Sequence, residues 1–527
     1  MCRRHLGVTT NHPSGTVRSF IMPPNERLPV VDLGVLLAYL AAMVAMGWWF
    51  GRRARGADQF MAAGGKIPAW AVGLSIFGTF VSSISFLALP GKAYATDWSA
   101  FVFSLVIAPA AWIAVRWFVP FYRRGKEVSA YDHLGKRFGP WARNYAVGCY
   151  MLTQVARTGV ILYLLALALA PLTGWDIHTL VLVGGGAVLL YSVIGGMEAV
   201  IWTDVVQSVI FIGGSLACVL VLLAGLPDGP VRAARSAVSL GKLSLGDPAL
   251  DFTRATVWVI ILQGLVVNLR NFGIDQSYVQ RYATARDDGA ARRSVWLGAG
   301  LYIPVSAMFF MTGTLLYLFY RAHPEWLMDG SGAAPKADEV FPRFIATRLP
   351  VGLGGLVLAA VFAAAQSTIS GSLNGCATLW LCDVHRRYIN PATDDQGGLR
   401  VLRLATVVCG VLGTLAAWAL ISFRNTPALD LWWALEGVLT SGLLGLFLLG
   451  RSGRRVTATA AAAGVTAGTL LTVWLVFSPL WPDNFNAWKS SFHILMAPVL
   501  ATMTILLVGG AVALVTRPAT QNSAKEI

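Results

Sequence analysis

The sequence predicts an all-α polytopic membrane protein of about 13 spanning helices, and three observations predict it. The 527 residues are 56% hydrophobic and only 13% charged, whereas soluble domains carry about 25% charged residues. The apolar residues gather in runs near 20 residues, the length that crosses a hydrocarbon core about 30 Å thick. Between the runs lie short loops that hold most of the Lys and Arg behind the net charge of +15. That alternation is a topology signal, and it turns the basic balance away from nucleic-acid binding.

Residues 1–21 are polar and basic (Arg3, Arg4, His5) and lack the apolar core of a signal peptide. Met22 reads as the natural start, with residues 1–21 either a misassigned extension or a disordered tail, and 1–30 as the N-terminal tail. The spanning domain covers 31–515, and 516–527 read as a cytoplasmic tail. Candidate spans lie near 31–50, 68–95, 98–122, 144–172, 177–195, 197–226, 254–275, 293–320, 352–384, 400–422, 428–450, 456–478 and 491–515. Alternate loops carry the basic residues: Arg52 and Arg53, Arg123 and Arg124, Arg281 and Arg286, Arg386 and Arg387, Arg454 and Arg455. These loops are expected in the cytoplasm, which puts the N-terminus outside and the C-terminus inside.

The second run, Gly73 to Ser85, is crowded with Gly and hydroxyls before Pro90-Gly91. The seventh ends in Asn268-Leu269-Arg270-Asn271-Phe272-Gly273-Ile274-Asp275-Gln276. Polar, Gly-bearing interruptions five spans apart predict two unwound helices in a five-plus-five inverted repeat, framed by extra helices. Unwound backbone at membrane depth is tolerated where it lines a cavity, and there its free carbonyls can hold an ion.

Asp204 lies between two long apolar runs. A carboxylate at that depth costs several kcal/mol unless paired, hydrated or bound to a cation. Far downstream, Gln366-Ser367-Thr368-Ile369-Ser370 sets hydroxyls in another apolar run. A buried acid with hydroxyls suits a small hard cation, which prefers oxygen ligands. The six Cys show no CxxC spacing, the seven His no ligand spacing, and no GxxxxGK[ST] occurs. Metal centres, disulfide frameworks and ATP-driven pumping therefore have no support, and no nucleophile–base pair suggests an enzyme.

From about residue 30 to 450 the chain resembles the sodium:solute symporter family, which has a leucine-transporter-like fold. The resemblance rests on Gly195 to Gln207, on Asp275-Gln276 through Gln280-Arg281, and on Ala364 to Ser370. Phe86-Leu87-Ala88-Leu89-Pro90 and Arg157 to Tyr163 look closest to the branch with sialic-acid, monocarboxylate and iodide carriers. The resemblance implies a sodium-coupled importer of a small organic solute, with sodium as coupling ion, no other cofactor, and function as a monomer. It implies a first sodium site at the carbonyls of Gly78, Val81 and Ala364 and the hydroxyls of Ser367 and Thr368. A second is implied at Asp204, Ser367 and Ser370, although Gly371 stands where some members have a hydroxyl. Solute contacts map to Phe80, Ser82, Ser85, Arg157, Asn271 and Phe272. Asn271 replaces an aromatic of the sugar-carrying branch, which favours an organic anion such as a sialic acid or monocarboxylate over a sugar or amino acid.

Plainer readings stand beside these. Ser367 and Thr368 could bond the preceding helical turn or join helices. Asp204 could pair with Arg157 or Arg270 as scaffold. Arg157 either forks onto a carboxylate or snorkels to the interface. Glu436 faces a wet cavity or a partner. A membrane sensor and an ion channel are the rival classes.

Overall fold

The computed structural model describes residues 29–516 except 53–55, 126–127, 328–334, 424–427, 441 and 454–455. The expected start at Met22 and the tail beyond 516 lie outside the described residues.

Apolar runs become helices because lipid offers backbone N–H and C=O groups no partner. The spanning segments are α1 (Val30–Gly51), α2 (Ala69–Phe80), α3 (Ile84–Ala95), α4 (Phe101–Gly125), α5 (Pro140–Ala170), α6 (Ile177–Ala224) and α7 (Val257–Ile274). After α7 comes a short helix, α8 (Gln276–Thr284). The remainder are α9 (Asp288–Ala322), α10 (Leu353–Ile389), α11 (Asp395–Leu420), α12 (Trp432–Arg451), α13 (Ala458–Leu480) and α14 (Ile494–Val515).

Among the described residues 11 helices are long and apolar enough to cross a membrane, or 12 when α2 and α3 count as one bent span. The 13 expected spans differ from this at 177–226, where two runs form the single 48-residue α6. Such a helix would extend about 72 Å at 1.5 Å per residue, more than twice a hydrocarbon core. It breaks at Gly196, whose φ of 61° and ψ of −172° lie in a region that only glycine occupies comfortably. Phe60 packs on the break so closely that a Cβ at Gly196 would stand 2.9 Å from its ring.

Both expected interruptions are present. α2 and α3 meet at 59°, across Val81, which is extended (φ −86°, ψ 122°). α7 and α8 part at Asp275, also extended (φ −76°, ψ 123°), whose carboxylate accepts from Ser277 N and so starts the next helix. The far ends of the two broken elements touch, Ile67 N donating to Thr284 O at 3.0 Å. α10 is buried almost throughout from Gly354 to Leu379 and packs most extensively on α6. This brings Asp204, on α6, against the hydroxyls of α10.

Candidate functional site

Extended backbone at Val81 frees carbonyls that a continuous helix would have used. Thr368 Oγ1 donates to Val81 O at 3.0 Å and to Ala364 O at 3.2 Å. One hydroxyl of α10 thus ties the unwound point of α2 to its own preceding turn. Gly78 lies directly against Ser367, where a Cβ would stand 2.7 Å from Ser367 Oγ. The five residues of the first expected ion set are therefore neighbours, all from the α2 break and one turn of α10.

Ser367 also faces the other way. Its Oγ donates to Asp204 Oδ1 at 2.6 Å. The opposite oxygen, Oδ2, accepts from Ser75 Oγ at 2.5 Å and from Arg281 Nη2 at 2.9 Å. Arg281 Nε donates to Ser75 Oγ at 2.7 Å, and Nη1 to Ser277 O at 2.5 Å. Neither Asp204 nor Arg281 reaches solvent. Ser370 Oγ donates to Ser367 O at 3.2 Å, along its own helix.

Two expectations are corrected here, and one left open is answered. Arg281, read as a cytoplasmic loop residue, is buried on α8 because the break at Asp275 turns that helix inward. The scaffold partners considered for Asp204 were Arg157 and Arg270, and the observed partner is Arg281. Arg270 instead pairs with Glu436 at 2.5 Å, so that acid has its partner and also borders a cavity.

That cavity lies beside the α2–α3 break. Phe80, Ser82, Ser85, Arg157 and Asn271 line it, together with Ser104, Tyr278, Tyr302, Trp432 and Glu436. Phe272 does not. It is fully buried behind Phe80, the ring centres 5.2 Å apart, because successive residues on a helix point about 100° apart. Phe80 also packs on Tyr278 (4.7 Å) and Tyr302 (5.3 Å), which makes an aromatic floor. Ser83, next to the lining serines, donates to Ile161 O at 3.1 Å and only joins helices.

Arg157 does not snorkel. Its Nη2 donates to Thr79 O at 3.0 Å, at the end of α2, where a cation meets the negative pole of a helix. This is its one hydrogen bond among the described residues, so most of its five N–H groups remain for a ligand.

Sequence reasoning missed Ser75, Tyr278, Tyr302 and Trp432 as site residues. Ser75 had one signal, its place a helical turn before Thr79. Tyr278 had a signal, its place in the polar stretch from Asp275 to Arg281, and Trp432 had one in lying four residues before Glu436, whereas Tyr302 sits in an apolar run and had none.

Two helices unwound within spanning segments, oxygen atoms gathered at one break and a polar cavity beside it define a secondary transporter of the inverted-repeat class. The chain belongs to the sodium:solute symporter family, whose model matches residues 60–468, and its activity is sodium-coupled solute symport. It is 33% identical to the sodium/sialic acid symporter NanT of Aliivibrio fischeri, over 84% of this chain and 86% of that one. It is 30% identical to the sodium/sialic acid symporter SiaT of Proteus mirabilis, over 94% of this chain and 97% of that one. Among solved structures, a substrate-bound, outward-open Na+-coupled sialic acid symporter superposes with a TM-score of 0.84 at 29% identity, covering 94% of this chain and 99% of that chain.

Proposed function

We propose that the protein imports a small organic anion, of the kind represented by sialic acids and monocarboxylates, together with sodium by alternating access. The observation that carries the solute class is Arg157, a guanidinium at the helix break with unused donors beside the cavity. Arg–carboxylate pairing is forked and charge-assisted, and the water-poor site strengthens it. The residues assigned to the solute are Phe80, Ser82, Ser85, Arg157 and Asn271, with Phe272 fixing Phe80 from behind.

Sodium takes the first set: carbonyls of Gly78, Val81 and Ala364, hydroxyls of Ser367 and Thr368. The ion would do from the middle what the Thr368 hydroxyl does at one edge, bridging the break and α10. Bound sodium favours the conformation in which these elements meet, and coupling follows from that difference in affinity between states. Each inward charge adds about 2.3 kcal/mol of drive per 100 mV. A second ion at Asp204, Ser367 and Ser370 requires the Arg281 guanidinium to withdraw from Asp204 first. We assign the protein to the cell membrane, N-terminus outside and C-terminus in the cytoplasm, acting as a monomer and as a carrier, not an enzyme.

The test is uptake into vesicles carrying the purified protein, under an inward sodium gradient against an equal potassium gradient. Labelled sialic acid and labelled lactate are the probes, with a neutral hexose and a neutral amino acid as controls. Sodium-driven uptake of either acid supports the reading; uptake of the hexose or amino acid alone overturns it.

A further inference from the structure

Two spanning helices lead from the solute cavity to a second, smaller one. On α5, Arg157 lines the solute cavity, while Gln154, Thr153 and Tyr150, roughly one to two turns earlier, line a separate cavity of about 10 Å³. On α12, Glu436 lines the first, and Thr440 and Leu443, roughly one to two turns later, line the second. α5 begins and α12 ends on the face assigned to the cytoplasm, so the second cavity lies between the solute and that face. It has room for about one water molecule and for no organic solute. Asp275 and Tyr131 also line it. The Tyr131 hydroxyl is buried with no hydrogen-bond partner among the described residues.

The floor of this cavity is the segment 128–131, which leads from α4 into a short helix, Asp132–Phe138. Ser129, Ala130 and Tyr131 are buried, and buried backbone must find partners. Three side chains supply them. Gln276, the first residue of α8, accepts from Ala130 N at 2.8 Å through Oε1 and donates Nε2 to Val128 O at 2.9 Å. Tyr122 OH, on α4, donates to Gly273 O at 2.8 Å and lies 3.3 Å from Ala130 O. Ser129 Oγ accepts from Tyr131 N at 3.1 Å and donates to Asp383 Oδ2, on α10, at 2.6 Å. The segment thus joins the α7–α8 break to α10. One joint in this seal is open. Asp383 Oδ1 and Arg143 Nε stand 3.6 Å apart, and neither has a hydrogen-bond partner among the described residues. Unmade bonds at buried groups are costly, so this side of the seal parts more easily than a fully bonded pair. α8 connects the seal to the ion residues: Gln276 at its start grips the segment, and Arg281 further along holds Asp204 and Ser75. A tilt of this helix that moves one contact moves the other.

We infer that the segment 128–131 is the inner gate of the carrier, held by Gln276 and latched to α10 through Ser129, and that it is shut in this structure. Release toward the cytoplasm requires Gln276 to let go of Ala130 and Val128, and Ser129 to leave Asp383. The small cavity then opens at Tyr131. Gln276 is a positioning residue: it lines neither cavity and acts through the segment it grips. Sodium favours the arrangement in which α2 and α10 meet, and so it holds the gate shut while the solute site is empty. That direction rests on the sodium set proposed above; the identity of the solute does not enter.

The experiment uses the full chain with Thr153→Cys, a change in the wall of the small cavity, in lipid nanodiscs whose two faces are both open to a membrane-impermeant maleimide. Labelling is read at position 153 by mass spectrometry, so the native cysteines stay. Cys218, fully buried on α6, is the internal control. Replacing potassium by sodium is expected to slow labelling at position 153 by at least tenfold. Adding Gln276→Ala is expected to speed it at least tenfold in sodium while Cys218 stays unlabelled. Ser129→Ala, a smaller change that decides the matter if the first variant does not fold, is expected to act in the same direction. Ser129→Thr retains the hydroxyl and is expected to label like the parent. Labelling of the parent that sodium leaves unchanged overturns the gate, and so do variants that label like the parent. A rise at position 153 matched by a rise at Cys218 is general loosening and overturns it too. No solute enters the assay, so its failure is distinct from failure of the organic-anion reading.

Discussion

Arg281 Nη2 stands 2.9 Å from Asp204 Oδ2 with neither side chain exposed, and Ser75 bonds both of them. The acid that the sequence displays in an apolar run is thus balanced by a cation on a helix from the opposite half of the repeat. Gly371 makes room for this. A Cβ there would stand 3.0 Å from Arg281 Nη2, so a side chain at this position would press on the guanidinium.

Asp204→Asn is expected to lower stability by about 3–5 kcal/mol, because it leaves a buried guanidinium without its counter-charge. Arg281→Met in the same background should recover part of that loss by removing the orphaned charge. Thermal melting of the purified variants checks both. An Asp204→Asn protein that melts like wild type would show that the pair is not holding α6 to α8.

Ser367→Ala with Thr368→Ala is expected to raise the sodium concentration for half-maximal uptake by about tenfold or more, equivalent to at least ~1.4 kcal/mol. A methyl cannot replace an oxygen in the shell of a hard cation. Thr368→Ser retains the oxygen and should stay near wild type. Sodium titration of uptake is the measurement, and an unchanged half-saturation in the double variant would remove these hydroxyls from the ion site.

Arg157→Lys keeps the charge and loses the fork, and solute affinity should fall by about tenfold. The neutral amide of the transported acid should compete poorly with the acid in wild type. Wild-type affinity in the Lys variant, with equal competition by the amide, would release Arg157 from the solute.

Gly196→Ala places a side chain in a backbone conformation reserved for glycine and drives its Cβ into Phe60. The expected cost is about 1–3 kcal/mol from the backbone alone, read as a lower melting temperature. A melting temperature equal to wild type would mean that the long α6 can rearrange around this point.

The sequence by itself determined the helices and their interruptions. Lipid satisfies no backbone group, so apolar runs must be helical, and glycine and hydroxyl clusters mark where a run can open. Val81 and Asp275 are extended within the two segments read as broken. Even the separate runs at 177–195 and 197–226 correctly flanked the break at Gly196. Tertiary structure decided the partners. Loop charge placed Arg281 outside the membrane because periodicity carries no record of which way a chain turns after a break. The sequence offered Asp204 two arginines, Arg157 and Arg270, and the packing of α8 against α2 and α10 supplied a third, Arg281. Phe272 and Asn271 adjoin in sequence, yet helical rotation buries the first and gives the second to the cavity. Residue types are local properties, and apolar patterning reports depth and length. Which charge meets which depends on contacts between helices tens to hundreds of residues apart, and those are set by packing the whole bundle at once.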